Sequence, residues 1–269
     1  MRQWRLLRDE PLSGAQNMAR DEAILDAVSV GQQPPTLRLY AWQPWCLSLG
    51  YSQNYADVDG EALSARGWQV VRRPTGGRAI LHAHELTYSL ALPIDHPLAL
   101  GDVVESYRLI SRGLMKALEC LGLQPYSDKN PNMPSNLSAV CFQVPSHYEI
   151  TVQGRKLIGS AQLRRKEGIL QHGTLPLSGD LGDICQALRY DDEAERQAAA
   201  LLVRQHALTL QEALGRVLEW DEVAEAFAEG FSRAFDLELI PAALSPAEEA
   251  RASALQAQVY ATSDWLHKR

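Results

Sequence analysis

No stretch of this 269-residue chain supplies the uninterrupted apolar run of about eighteen residues that a spanning helix needs. The N-terminus, Met1-Arg2-Gln3-Trp4-Arg5-Leu6-Leu7-Arg8, also has no apolar core of a secretory signal. A cytoplasmic protein with no membrane association is expected. Cysteine is scarce: Cys46, Cys120, Cys141 and Cys185 lie far apart without a C-x-x-C pair, which favours free thiols over disulfides or a zinc knuckle. The seven histidines include no H-x-x-x-H, so no metal site is expected. An excess of positive charge is missing as well. With 26 basic against 33 acidic residues the net charge is −7, which argues against a chain built to grip nucleic-acid phosphates. There is no repeat, no low-complexity tract and no linker that splits the chain.

What is present is a large apolar complement, 46% of residues, enough for one substantial core. Ser13-Gly14-Ala15-Gln16 has the form of a capping box, followed at helical spacing by Met18, Glu22, Leu25 and Val28 and stopped by Gly31 and Pro34. Strand-like alternation appears at 37–42, 45–51 and 68–73, the last ending at Pro74 and the Gly76-Gly77 turn. Residues 86–92 alternate large with small, so that a small-residue face is free to border a ligand slot. Asp102 and Glu105 cap a helix carrying Tyr107, Ile110, Leu114 and Leu118, and residues 124–140 form a loop rich in turn residues. A hairpin is expected over 148–163 and a further strand over 169–175. From about residue 182 the text turns helical, with starts at Thr209-x-x-Glu212 and Ser245-Pro246-x-Glu248 and an apolar face of Val223, Phe227, Phe231 and Phe235. The expected architecture is a single α/β (α+β) unit, 1–269, with a mixed or mostly antiparallel sheet. Its core spans about 31–241, and a helical C-terminal segment about 242–269.

Two segments carry chemistry. A lone cysteine is ordinarily a small buried hydrophobe, which suits Cys46, Cys120 and Cys185. Cys141 differs: it follows a long polar loop and precedes Phe142 and Pro145-Ser146. Fifteen or so residues on, Lys156 stands in the turn Gly154-Arg155-Lys156, before Gly159-Ser160-Ala161, where small residues leave room for a ligand or another backbone. An amine beside a thiol favours the thiolate, the form that attacks acyl groups. Upstream, Arg72-Arg73-Pro74-Thr75-Gly76-Gly77-Arg78 ends an otherwise apolar strand. One of the two arginines is expected to face inward toward an anion, either a phosphate or carboxylate ligand or an internal Asp or Glu. His82 and His172 each end a strand-like stretch, as hydrogen-bonded structural residues or as general bases.

These motifs resemble the lipoate–protein ligase and octanoyltransferase superfamily. Arg72 to His82, Glu85-Leu-Thr-Tyr-Ser89, Asn17-Met-Ala-x-Asp21 and Ser48-Leu-Gly50-Tyr-x-Gln53 carry the superfamily likeness. Cys141-Phe142-x-x-Pro145-Ser146-x-Tyr148-Glu149, then Gly154-Arg-Lys156-x-x-Gly-Ser-Ala-Gln162, resembles the cysteine-dependent octanoyltransferase branch of the Bacillus type.

The resemblance implies a biotin/lipoate-protein ligase fold, a class II synthetase-like mixed sheet flanked by helices. It implies transfer of octanoyl from the phosphopantetheine of acyl carrier protein to the lipoyl-domain lysine of an acceptor, the glycine cleavage H protein or a 2-oxoacid dehydrogenase E2. Cys141 would carry the thioester and Lys156 would lower its pKa. Arg72, Arg73, Gly76, Gly77, His82, Gly159, Ser160 and Ala161 would bind substrate. No cofactor or metal would be required, since the donor thioester is already activated, and a monomer is expected. ATP-dependent lipoate ligases share the fold but usually carry Gly-Gly-Gly-Ala where this chain has Gly76-Gly77-Arg78-Ala79. Sister amidotransferases that draw octanoyl from the H protein also use a cysteine. A catalytically silent binder of carrier or lipoyl protein would have no use for an ionised thiol. Because carriers and lipoyl domains are typically acidic, a docking patch is expected from Arg72, Arg73, Arg78, Arg155, Arg164, Arg165 and Lys166.

Overall fold

The computed structural model describes residues 2–127 and 149–269. In chain order the strands are β1 (Arg2–Arg8), β2 (Thr36–Tyr40), β3 (Cys46–Leu49), β4 (Gln69–Arg72), β5 (Ile80–His82), β6 (Glu85–Pro93), β7 (Ile150–Val152), β8 (Arg155–Arg164), β9 (Gly168–Pro176) and β10 (Leu237–Pro241). The helices are α1 (Gly14–Ser29), α2 (Gly60–Arg66), α3 (Val103–Cys120), α4 (Glu193–His206), α5 (Leu210–Leu214), α6 (Trp220–Phe235), α7 (Pro246–Leu255) and α8 (Ser263–Leu266). The helix starts read from sequence are present as reciprocal capping boxes at Ser13/Gln16, Asp102/Glu105, Thr209/Glu212 and Ser245/Glu248.

Seven strands form a mixed sheet in the order β10-β1-β2-β6-β9-β8-β7. The β1 pairings are parallel, while β2-β6, β6-β9, β9-β8 and β8-β7 are antiparallel. A small sheet, β4-β3-β5, is separate. The period-2 alternation of β6 decides how the layers stack. Leu86, Tyr88, Leu90 and Leu92 enter the main core with Ile110 and Leu114 of α3 and Phe227 and Phe231 of α6. Thr87 and Ser89 point the other way, where α1 packs and where Thr87 and Ser48 of the small sheet line a common cavity. Helices α3 and α6 meet so closely that Gly230 has no room for a Cβ, which would come 2.3 Å from the Ala117 nitrogen.

Two strands were not legible in the sequence. The Arg2–Arg8 segment reads as polar, yet it is an interior strand: Arg5 is buried, donating to both Glu248 carboxylate oxygens at 2.8 and 2.5 Å and to Thr36. The core therefore starts at the beginning of the chain and not near residue 31. Likewise β10 interrupts a C-terminal region expected to be helical throughout; its register is set by parallel pairing with β1, a long-range contact. Among the described residues no helix is long and apolar enough to cross a membrane.

Candidate active site

A narrow cavity lies between the sheets, with about 420 Å³ of space between its walls counting the part open to solvent. Its floor is the sheet face that carries Thr87, Gly159, Ala161, His172 and Thr174, placed side by side by the register Gly159↔Thr174, Ala161↔His172 and Thr87↔Thr174. Its roof brings Ser48, Arg73, Gly77, Ile80 and His82 from the small sheet and the turn after it, and Met18, Tyr40 and Trp42 close one side. Gly77 needs its glycine: φ is +93°, and a Cβ would stand 2.9 Å from Arg73 Nη2.

The polar groups of this wall bond to one another. Arg73 Nη1 donates to the Ser48 carbonyl and hydroxyl, both at 3.0 Å, and Nη2 donates to the carbonyls of Gly76 and Arg78 at 2.9 and 2.7 Å. His82 bridges the Ser48 hydroxyl and the Glu85 carboxylate, 2.7 Å on each side, and stacks on Trp42 at 3.8 Å between centroids. With Nδ1–H donating to the carboxylate, Nε2 accepts the Ser48 proton. Trp42 donates to the Thr87 hydroxyl at 2.8 Å, and that hydroxyl donates to Glu85.

His172 forms the second array: Nδ1 lies 3.1 Å from Asp21 and Nε2 2.7 Å from the Thr75 hydroxyl. Asp21 also accepts from Arg38, Tyr40 and Ser89 at 2.7–2.9 Å. Burial pushes the His172 imidazole below its ordinary value despite the pull of Asp21, so the ring is neutral and accepts from Thr75. Burial alone opposes the Asp21 charge, but the His172 hydrogen bond and the Arg38 cation outweigh it and hold the carboxyl below its usual range.

Of the residues singled out in the sequence, Arg73, Gly77, His82, Gly159, Ser160 and Ala161 come together on this cavity. Gly76 stands beside it as an acceptor for Arg73 and is itself exposed. Arg72 goes elsewhere. Its guanidinium is fully buried and donates to the carbonyls of Gly50, Tyr51, Gln53, Trp265 and Leu266 at 2.7–3.2 Å, while the Trp265 indole donates back to the Arg72 carbonyl. The expected anionic partner is thus replaced by backbone carbonyls for Arg72, and Arg73 too has carbonyl acceptors. Side-chain direction alternates along extended chain, so Arg72 at the end of β4 and Arg73 just after it reach different partners.

Lys156 is on β8, three residues before Gly159, and does not line the cavity. It is buried, 5% exposed, contrary to the solvated lysine usual at a hairpin tip, and its Nζ lies 2.5 Å from Glu149 Oε1, itself 7% exposed. Cys141 and its flank lie outside the described residues. Cys46 and Cys185 make poor nucleophiles, because burial pushes both thiols up. Among the described residues no group of His, Cys, Asp and Glu is arranged to hold a metal.

The expected basic docking patch is not assembled. Besides the two buried arginines, Arg155 donates to carbonyls of α4 and the turn after it, Arg164 to Ser106 and the Ala99 and Gly101 carbonyls, and Arg165 to Glu22 and Asp26. Two members differ: Lys166 is exposed, 3.7 Å from Glu167, and Arg78 Nη1 is buried without a hydrogen-bond partner.

Sequence reading missed Met18, Tyr40, Trp42, Ser48, Ile80 and Thr174 on the wall. Met18 and Ser48 lie in the Asn17 and Ser48 motifs, and Tyr40 and Trp42 in the alternating stretch 37–42, all visible in sequence although their convergence was not. Thr174 had no signal beyond standing two residues after His172, on the same face of a strand.

The Lipoyl protein ligase A/B catalytic domain family matches residues 13–232. The chain is 42% identical to octanoyltransferase LipM of Kyrpidia tusciae, covering all of both chains, and 41% identical to octanoyltransferase LipM of Moorella thermoacetica, covering 99% of this chain and 98% of that one. In fold it matches a bipartite lipoate protein ligase, studied with its E2 lipoyl domain, from Thermoplasma acidophilum (TM-score 0.84, 24% identity, 99% and 97% coverage). It also matches a lipoate-protein ligase A bound with ATP (TM-score 0.81, 24% identity, 99% coverage of each).

Proposed function

The chain belongs to the lipoyl protein ligase A/B catalytic-domain family, and on that premise we propose that it is an octanoyltransferase working through a Cys141 thioester. The donor in this reading is octanoyl-acyl carrier protein, and the acceptor is the lipoyl-domain lysine of an H protein or E2. The observation that carries it is the cavity: a narrow slot whose polar wall groups are almost all bonded to one another, so that it offers a ligand chiefly apolar contact. An eight-carbon chain gains roughly 0.8 kcal/mol per buried CH₂, about 5–6 kcal/mol before ordering costs. Full-length relatives named octanoyltransferases support the acyl group, and a fold neighbour studied with a lipoyl domain supports the acceptor class.

The Cys141 thiolate attacks the thioester carbonyl carbon, forming a C–S bond; the carrier's sulfur leaves and takes up the proton that Cys141 gave up. The acceptor's neutral amine then attacks the enzyme thioester, the C–N bond forms, the C–S bond breaks, and the amine's proton returns to the Cys141 sulfur. Lys156, buried with its charge opposite Glu149, is the cation we assign to holding Cys141 as thiolate. No nucleotide takes part, because the donor is already activated, and Arg78 occupies the turn position that ligases usually leave to glycine.

Mass spectrometry of the protein mixed with octanoyl-carrier is the direct test. An octanoyl adduct on Cys141, discharged when a lipoyl domain is added, is expected. Efficient lipoylation from ATP and free lipoate that survives Cys141→Ala would replace this reading with the ligase. Octanoylated H protein as the sole productive donor would replace it with the amidotransferase.

A further inference from the structure

Of the polar side chains on the cavity wall, the Thr174 hydroxyl is the one left without a partner among the described residues. It is not exposed: Thr174 is 1% accessible, on the interior strand β9, opposite Gly159. Its neighbours show what a settled hydroxyl looks like here. Ser48, Thr75 and Thr87 each hold partners at hydrogen-bond distance, and the Ser160 hydroxyl accepts from Tyr88 at 2.8 Å. A buried hydroxyl on the cavity wall with no partner has its hydrogen free to donate to a ligand oxygen.

The position of Thr174 says which part of a ligand meets it. Gly159, opposite Thr174, is three residues from Lys156 on β8, about 10 Å along the strand, whereas Ala161, opposite His172, is two residues further away. Thr174 therefore marks the Lys156 end of the slot. A second recess, between β5 and the segment after β9, shares Thr174 and Ile80 with the cavity, so Thr174 stands where the two meet. Tyr40, Thr87, Thr174 and Gly159 form one row across the sheet, so an acyl chain laid along that row with its tail toward Tyr40 on β2 brings its one hydrogen-bonding atom, the carbonyl oxygen, to the β9–β8 side, where Thr174 stands.

The geometry points to Thr174 as the residue that binds the carbonyl oxygen of the octanoyl group, donating its hydroxyl hydrogen and strengthening that bond as the oxygen gains charge. This rests on the octanoyl-transfer reading given above. The hydroxyl keeps its proton throughout, and no bond to Thr174 forms or breaks. Pre-set donors of this kind act mainly on kcat, because the bond is stronger in the tetrahedral state than in the ground state.

The test uses full-length protein with Thr174→Val, which keeps the shape and removes the donor, and Thr174→Ser, which keeps the donor. Thr174→Val is expected to lower kcat about 10²-fold with octanoyl-carrier as donor. It should bind the carbonyl-free S-octyl thioether of the carrier as tightly as wild type, and it should melt at the same temperature or higher, since an unbonded buried hydroxyl has been replaced by a methyl group. Thr174→Ser should retain most of the activity. Undiminished kcat in Thr174→Val overturns the assignment. So does a loss shared equally by thioether binding, which would make Thr174 a shape element, or a lowered melting temperature with loss in both variants, which would make it structural. Wild type run in the same assay separates the two readings: failure of wild type to transfer octanoyl overturns the function, whereas active wild type with an unaffected valine variant overturns only the role of Thr174.

Discussion

Replacing Arg72 tests whether one member of a conspicuous arginine pair is structural. In Arg72→Met the side chain keeps its length and loses every donor. Five carbonyls then lose a charged partner: Gly50, Tyr51 and Gln53 in the loop after β3, and Trp265 and Leu266 at the end of α8. The Gly50 bond is buried, so its orphaned oxygen costs about 1–3 kcal/mol, while the part-buried carbonyls recover some water and cost about 0.5–1 kcal/mol each. The total of roughly 3–7 kcal/mol, at about 2–4 °C per kcal/mol for a chain of this size, lowers Tm by about 6–28 °C. Because Arg72 holds the chain terminus to the small sheet, limited proteolysis should clip the segment after α7 first. Arg72→Lys should recover little, since a point charge cannot fork between two sets of carbonyls. Calorimetry together with octanoyl transfer assayed well below both melting points decides the matter. An Arg72→Met protein that melts with the wild type yet loses transfer would refute this reasoning and return Arg72 to the ligand.

Lys156→Met should abolish transfer and move the midpoint of Cys141 alkylation by iodoacetamide upward by about 1–3 pH units; an unmoved midpoint removes Lys156 from that role. Acid should destabilise the fold in two stages. His172, whose folded value is depressed, takes up its proton more readily when unfolded, so stability falls as pH drops below about 6.5, and Asp21, also depressed, adds a loss below about 4. His172→Gln should flatten the first stage in thermal melts from pH 7 to 5, and an unchanged slope would contradict it. Gly230→Ala drives a Cβ into the Ala117 backbone between α3 and α6 and should cost about 1–3 kcal/mol or more, read as a lower Tm with KM unchanged.

The sequence by itself determined the local events. Capping residues at Ser13, Asp102, Thr209 and Ser245 announced helix starts because a cap is a contact between residues three apart. The alternation of β6 announced a two-faced strand, and the motif spacing around Gly76-Gly77 and Gly159-Ser160-Ala161 marked segments that do border one cavity. It also carried the family. Tertiary structure alone decided what depends on distant partners. It made β1 and β10 strands, because their ladders join residues more than two hundred positions apart. It sent Arg72 to the chain terminus and Arg73 to the cavity, because adjacent side chains on a strand face opposite ways and charge says nothing about which face is which. It dispersed a basic cluster that existed only in sequence, and it left Thr174 unbonded. The state of that hydroxyl is fixed by what surrounds it in space, and no reading of neighbours along the chain contains that information.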